Sequence, residues 1–504
     1  MLKQDIAYYA LRITSLGRGI ALPNVVRERN TQYVIRNSED TLSPRSVALI
    51  VAGLVLVVAA SFTDNALVMV AIAAGIVGAA VLAWLGGIRV LYVYAALIWI
   101  LPRIYLPGLE AIVPLHVLVA GGVGLLWLAG RFVGGNFKFN ALLPPFWPLI
   151  AVYCLGGVVA FFTGRPDVDS VNGVKFLVEA CVVAPLLYLV VWHFMRDPGD
   201  AERLILLISL STAVLSAIAF VFQGTGFWTP VPFEKEGLRL SGQYQFGGLY
   251  VIITPVLIST QLSMLIPALT SLAINSASKW RRISSLALIV PLVLTILLAA
   301  GRSGWMGTAL GVMVVLFFSA HAGKISLPKV SVSIVVFAFL AVILLTSLGL
   351  VNDEVIRRLG SFGSLLEDDT VVARYGIWAW GLDLIAHYPF GVGFQVMLGL
   401  YGYPAHNQYI LWALGTGLPG LFVVVLMLLG WMWRVVKSLL TRYEPVFAMA
   451  LASLAGVLGG LVGINGDNIS TSVGWTQGTL WILLGVGAAA FQVARAKQAV
   501  PIRD

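Results

Sequence analysis

Three arginines and one histidine stand where apolar runs break off, and their types suit the chemistry of phosphate and hydroxyl groups. Arg302 lies in Ala300-Gly-Arg-Ser-Gly-Trp305, where two long apolar runs meet with almost no loop between them. Arg239 lies in Gly237-Leu-Arg-Leu-Ser-Gly242, just before another apolar run. Arg374 opens the helical half of a long polar segment, and His406 and Asn407 close it in Pro404-Ala-His-Asn-Gln-Tyr409. A guanidinium keeps its proton and presents a planar fork of donors matched to phosphate oxygens. An arginine at membrane depth is costly and by default a functional hypothesis. Arg302 would also open a helix, whose first N–H groups favour anions. An imidazole can take a proton from a hydroxyl near neutral pH. Together the four residues fit a diphosphate whose lipid tail stays in the bilayer. Asn407, Tyr409 and Trp378 flank them as supporting candidates.

Each residue also has a plainer reading. Arg239 could pair with Glu234 or Glu236, Arg302 could snorkel to lipid phosphates, and Arg374 could pair with Asp369 or cap its helix. A lone histidine at a helix start is more often a cap or a hydrogen-bonded surface group. Lys175 and Glu179 are one helical turn apart inside an apolar run and are expected to neutralise each other, with a proton relay as the alternative. His116 and His387 read as packing or interfacial groups, and Asp467 in Asn465-Gly-Asp-Asn468 as a turn residue. The histidines form no HExxH or paired His/Cys pattern, so neither a zinc site nor a cofactor is expected.

The elements that must hold these groups are membrane spans. The chain has 504 residues, 59% hydrophobic and only 11% charged, with mean hydropathy +0.93. A soluble domain carries about 25% charged residues, so this surface must meet lipid. Apolar runs lie near 46–62, 66–85, 88–101, 111–130, 142–162, 174–193, 204–222, 244–270, 284–300, 304–320, 331–350, 408–433, 446–464 and 474–493. That pattern predicts an all-α integral membrane protein of about 12–14 transmembrane helices. No alternating ten-residue pattern suggests a β-barrel. The net charge of +9 is dispersed between apolar runs, which argues against nucleic acid. Cys154 and Cys181 both lie in apolar runs and imply no disulfide framework. Residues 1–45 are polar and Arg-rich, so no cleavable signal peptide is expected.

Orientation follows from the basic clusters. With fourteen spans and a cytoplasmic N-terminus, about 23 of the 32 Lys and Arg residues fall on the cytoplasmic side. They include Arg27/Arg29/Arg36/Arg45, Lys279/Arg281/Arg282, Arg434/Lys437/Arg442 and Arg495/Lys497/Arg503. Both termini are therefore expected in the cytoplasm, and Arg239, Arg302, Arg374 and His406 on the outer face of a bacterial-type inner membrane. Two outer loops stand out, 223–243 and 351–406, the second far longer than a bundle connection of about 2–8 residues. Its part from Val372 to Ala386 has a helical period, with Trp378, Leu382 and Ile385 on one side, and should form a helix at the membrane interface. The organisation expected is a cytoplasmic tail (1–45), N-terminal transmembrane helices (46–222), a catalytic region (223–434) containing the 351–406 loop, and C-terminal helices with a cytoplasmic tail (435–504).

These motifs, taken in order, resemble a known family. His406-Asn-Gln-Tyr-Ile-Leu-Trp-Ala-Leu-Gly-Thr-Gly-Leu-Pro-Gly-Leu421 is similar to the His-Asn-x-Tyr/Phe…Gly-Leu-x-Gly signature of the O-antigen ligase and polymerase superfamily. Arg374…Trp378 followed by His387-Tyr-Pro-Phe-Gly-Val-Gly393 resembles its Arg…Trp…hPlxGxG segment. Arg302 matches the arginine that family places at a span junction. Arg239-Leu-Ser-Gly242 resembles its Arg-x-x-Gly, but Gln243-Tyr-Gln-Phe246 stands where Gly-Thr-Phe-x-Asn-Pro-Asn is usual. The resemblance covers roughly 237–430.

The resemblance implies a metal-independent glycosyltransferase of the inner membrane. Its donor would be a polyprenyl-diphosphate-linked glycan, such as one on undecaprenyl diphosphate, used on the periplasmic face. Its acceptor would be a sugar hydroxyl on lipid A-core, for a ligase of lipopolysaccharide biosynthesis, or on another lipid-linked glycan, for an O-antigen or exopolysaccharide polymerase. Carried over, Arg302 and Arg374, with Arg239 assisting, would bind the diphosphate, and His406 would activate or orient the acceptor hydroxyl. One-step displacement would invert the anomeric carbon. The competing class is a polysaccharide or lipid-linked glycan flippase, which calls for charges near the midplane and repeat symmetry; only Lys175 and Glu179 lie within a span, and no internal repeat is evident.

Overall fold

A computed structural model describes residues 91–92, 94–95, 103–106, 111–114, 144–164, 170–225, 242–246, 249–253, 255–299, 301–326, 360, 369–401, 405–441, 443–464 and 475–498. Statements of number or absence below refer to these. The chain is an all-α integral membrane protein: eight described helices are long and apolar enough to cross a membrane, and a shorter apolar one joins them. In order they are α1 (Trp147–Thr163), α2 (Ser170–Val178), continued by a π-helical turn at Glu179–Val183 into α3 (Ala184–Phe194), and α4 (Pro198–Thr225). Then come α5 (Pro255–Asn275), α6 (Lys279–Ala299) and α7 (Arg302–His321). The last group is α8 (Asp369–His387), α9 (Val396–Tyr401), α10 (Gln408–Leu440), α11 (Glu444–Gly463) and α12 (Trp475–Gln498).

Eight of the apolar runs are thus helical through their described residues, and a ninth, 244–270, only in its later part. The runs at 46–62, 66–85 and 331–350, nearly all of 88–101, and most of 111–130 lie outside the described residues, as do Arg239, His116 and Asp467. Two runs are corrected, the first being 111–130, whose described residues Ala111–Pro114 are a strand rather than a helix. The second, 244–270, is not a single span, because its first third forms strands and α5 begins only at Pro255. The strands β1 (Arg103–Leu106), β2 (Ala111–Pro114), β3 (Gly242–Phe246) and β4 (Leu249–Ile253) make one small antiparallel sheet of order β2-β1-β4-β3. Phe246 pairs with Leu249, and Arg103 of β1 pairs with Tyr250 of β4. The signal was present: Gly247-Gly248 separates two β-branched and aromatic stretches, a hairpin pattern that hydropathy alone overlooks.

The core places small residues where helices cross. Helix α7 carries Gly304, Gly307 and Gly311 on one face. A Cβ at Gly304 would lie 2.5 Å from Ser259 Cβ of α5, and one at Gly307 2.3 Å from the Gly459 carbonyl oxygen of α11. At Gly311 it would lie 2.5 Å from Pro267 of α5. In lipid there is little hydrophobic drive between helices, so close backbone approach and interhelical hydrogen bonds supply the packing. Gln261 Nε2 donates to Thr479 Oγ1 (2.8 Å), and Trp431 Nε1 donates to the Leu484 carbonyl (2.8 Å).

One membrane face is tied together by charge. Glu202 of α4 accepts from Arg281 (2.8 Å) and from Ser276 Oγ (2.6 Å), and Lys324 pairs with Glu444. Lys279, Arg434, Lys437 and Arg495 belong to helix ends at this same basic face. Arg302 and His406 stand at the start of helices that run toward it, and so belong to the opposite face.

Candidate functional site

The C-terminal end of α11 is contacted by two of the elements that carry the motifs. Its Gly459 packs against α7 through Gly307, five residues after Arg302. Its Leu461 carbonyl accepts a hydrogen bond from Tyr409 Oη (3.0 Å), three residues after His406. The helix that Arg302 opens and the segment that begins at His406 therefore both contact α11 near its C-terminal end. Arg302 is only 9% exposed and is the first residue of α7, beside the N-cap residue Gly301. Gly301 supplies no side-chain cap, so the first N–H groups of the helix lie next to the guanidinium.

His406 adopts φ 47°, one of two positive values among the described non-glycine residues. A left-handed residue of this kind costs about 1–2 kcal/mol. The next residue shows why the turn is held. Asn407 is extended (φ −154°) and caps α10, its side chain accepting from Tyr409 N (3.0 Å) and Ile410 N (3.2 Å). The cap is thus Asn407, and the histidine is displaced to the turn before it. His406 is half-buried, and it, Arg302 and Arg374 each make at least one polar, electrostatic or ring contact within the protein.

Helix α8, which carries Arg374 and Trp378, packs against the start of α10. A Cβ at Gly381 would lie 2.7 Å from Ile410 Cγ2, and Ile385 packs in a cluster with Val392, Ala413 and Leu414. Residues 374, 378, 381 and 385 share one helical stripe, so Arg374 and Trp378 continue the face that rests on the start of α10. The expected apolar face needs one correction: Leu382 is 57% exposed, and Ile377, Gly381, Leu384 and Ile385 form the packed side. The stripe turns by one residue because Gly381 permits the closest approach, which no apolar count records.

Helix α10 is broken where it meets the loop after α8. Its 33 residues would extend roughly 50 Å, more than the ~30 Å hydrocarbon core needs. At Gly417 (φ 73°, ψ 171°) the helix departs from helical geometry. Leu418 N donates to the Pro389 carbonyl (2.8 Å) rather than within the helix. The Leu414 carbonyl so released accepts from Val392 N (2.8 Å) and Gly393 N (3.1 Å). Pro419 has no N–H to lose at the break. A Cβ at Gly415 would strike the Phe394 ring at 2.2 Å. The Leu-Gly-Thr-Gly-Leu-Pro-Gly string at 414–420 therefore docks the loop that carries α8, and its role is architectural.

Gly417 occupies a region of φ/ψ space that is essentially glycine-only, and an added Cβ would meet the Phe390 backbone at 2.6 Å. Gly417→Ala is expected to lower stability on the order of 3 kcal/mol and to lose activity with it. Thermal unfolding in detergent measures the first, with Gly376→Ala, where nothing lies within 4 Å, as the neutral control.

One residue escaped the sequence reading. Gln395 is fully buried, beside Gly173 of α2, and neither polar atom of its amide has a hydrogen-bond partner. The indole N–H of Trp378 is likewise without a partner. A buried unmet donor or acceptor costs about 1–3 kcal/mol, and no spacing in the sequence announces it. Lys175 lies in α2 and Glu179 is buried at the π-helical turn that follows, and each has a contact within the protein. His387 is exposed and lies near Asp383 (3.5 Å).

The fold is that of a polytopic helical membrane protein, with Arg302, Arg374 and His406 as its candidate site residues. Residues 286–425 match the family model for O-antigen ligase. This segment of the chain is therefore similar to the O-antigen ligase domain of the ligase and polymerase superfamily. The match includes Arg302, Arg374 and His406 and excludes Arg239. Arg239-Leu-Ser-Gly242 is also where the motif departs from the family, and the departing residues 243–246 are strand β3. No curated protein matches the sequence.

Proposed function

We propose that this protein transfers a glycan from a polyprenyl-diphosphate carrier to an acceptor sugar hydroxyl on the periplasmic face of the bacterial inner membrane. The observation that supports the reading is that α7, which opens on Arg302, and Tyr409, three residues after His406, both contact α11 near its C-terminal end, at Gly459 and Leu461. Arg302 and Arg374 hold the diphosphate; Arg239 is assigned an assisting role from the sequence alone. The leaving group is a diphosphate, so it needs charge stabilisation rather than protonation, and fixed guanidinium groups supply it without reorganisation. His406 accepts the proton of the acceptor hydroxyl as that oxygen attacks the anomeric carbon and the carbon–oxygen bond to the diphosphate breaks. Attack opposite the leaving group inverts the anomeric centre. The amide of Gln395 and the indole N–H of Trp378 are groups that sugar hydroxyls can satisfy. The basic clusters at the far ends of α6, α10 and α12 support a cytoplasmic assignment for that face and a periplasmic one for the site.

Purified protein given labelled polyprenyl-diphosphate glycan tests this. Label moving onto lipid A-core identifies a ligase, and label growing on the polyprenyl carrier identifies a polymerase. The rate is expected to survive EDTA, and the product to carry the inverted linkage. Movement of the donor across the bilayer with no new glycosidic bond would replace this reading with a flippase.

A further inference from the structure

The basic face holds a second cluster that the glycosyl-transfer reading does not use. A cavity of about 430 Å³ opens between the ends of α10 and α12, and Lys437, Leu440, Phe491 and Arg495 are among its walls. Arg434 stands beside it, its guanidinium 4.3 Å from the ring centre of Phe146 and 5.6 Å from that of Phe491. Arg495 lies 5.7 Å from Phe491, and Lys437 4.8 Å from Trp433. Among the described residues, none of these three cations pairs with a carboxylate. Aromatic faces orient a cation without neutralising it, so three like charges remain gathered at one cavity.

The arrangement is built. Phe146 is the other described non-glycine residue with positive φ, at 67°, a costly backbone state for a bulky side chain. Gly430 clears its seat, since a Cβ there would lie 2.8 Å from the Phe146 ring. One turn on, Arg434 receives that ring. Apolar side chains stand exposed beside the cations: Leu440 of the cavity wall is 61% exposed, and Trp433, under the Lys437 ammonium, 62%. A soluble anion has no use for them, whereas a phosphate carrying acyl chains does. Basic pockets between transmembrane helices at the cytoplasmic side suit anionic lipid head groups.

We propose that this cavity binds the phosphate head group of an acidic membrane phospholipid, with Lys437, Arg495 and Arg434 on the phosphate and Trp433 and Leu440 along the acyl chains. The proposal is independent of the glycosyl-transfer site, which lies at the opposite ends of these helices. Native mass spectrometry of the full chain in detergent, with phosphatidylglycerol, phosphatidylcholine or glycerol 1-phosphate added, tests it. Phosphatidylglycerol is expected to be retained at least about tenfold over phosphatidylcholine, and Lys437→Gln with Arg495→Gln to remove at least about tenfold of that retention. A benzophenone side chain at Leu440 is expected to cross-link the acidic lipid and not the choline lipid in the otherwise unaltered chain. That arm decides the matter even if the double variant fails to fold. Equal retention of the two lipids, or displacement of the lipid by equimolar glycerol 1-phosphate, overturns the proposal.

Discussion

His406→Asn is expected to slow glycan transfer by about 10²–10⁴-fold, the range over which a positioned acid–base group acts, while the protein keeps its stability and its affinity for the donor. Asparagine is the informative replacement because of the backbone. His406 sits at φ 47°, a region that asparagine enters far more readily than most residues. The cap that follows belongs to Asn407, whose side chain holds Tyr409 N and Ile410 N, and Tyr409 Oη still reaches Leu461. The turn, the cap and the contact with α11 therefore all survive the change. What disappears is the imidazole. A histidine kept only to shape the turn would tolerate asparagine, so a variant with the parent rate would end the general-base assignment. The comparison requires initial rates across donor and acceptor concentrations, together with unfolding temperatures for both proteins.

The second large effect is at Arg302. Arg302→Lys is expected to lose about 10²–10³-fold in transfer, in line with removing one preorganised donor from developing charge, and to weaken donor binding as well. Lysine keeps the charge and a long stem, but it is a point charge without the planar fork. The plain alternative, an arginine snorkelling to lipid phosphate, predicts nearly full activity for lysine, because lysine snorkels equally well. Relocation of the helix start is no escape route. Gly304, Gly307 and Gly311 press α7 against Ser259, Gly459 and Pro267, so the residue at its N-terminus is held in place. Donor binding measured separately from turnover distinguishes the two variants, since His406→Asn should spare it and Arg302→Lys should not.

Much of this architecture was readable from residue types. Apolar runs long enough to span lipid, broken by arginines, require a helical membrane protein whatever the helices pack against, because lipid leaves backbone groups no other partner. Arg302, Arg374 and His406 stood out for the same reason: each is polar where the local sequence is otherwise built for hydrocarbon. The long segment before His406 was expected to contain a helix, and α8 spans Asp369–His387. Where hydropathy misled, the cause was a competing local rule. Residues 242–253 are apolar enough to extend a span, yet pair as β3 and β4.

What only the tertiary structure decided is which groups meet, and the reason is that close approach in a membrane protein depends on side chains that are absent. Gly307 and Gly459 let α7 and α11 touch, Gly381 lets α8 rest on α10, and Gly417 opens the backbone that the 389–393 loop completes. A glycine has no hydropathy or charge to reveal its neighbour, so these contacts leave no local trace. The same holds for Gln395, unremarkable in sequence and fully buried with its amide unmet in the fold. The candidate chemistry was thus legible as separate residues, and the contacts that tie α7 and Tyr409 to the C-terminal end of α11 came from helix crossings that composition cannot encode.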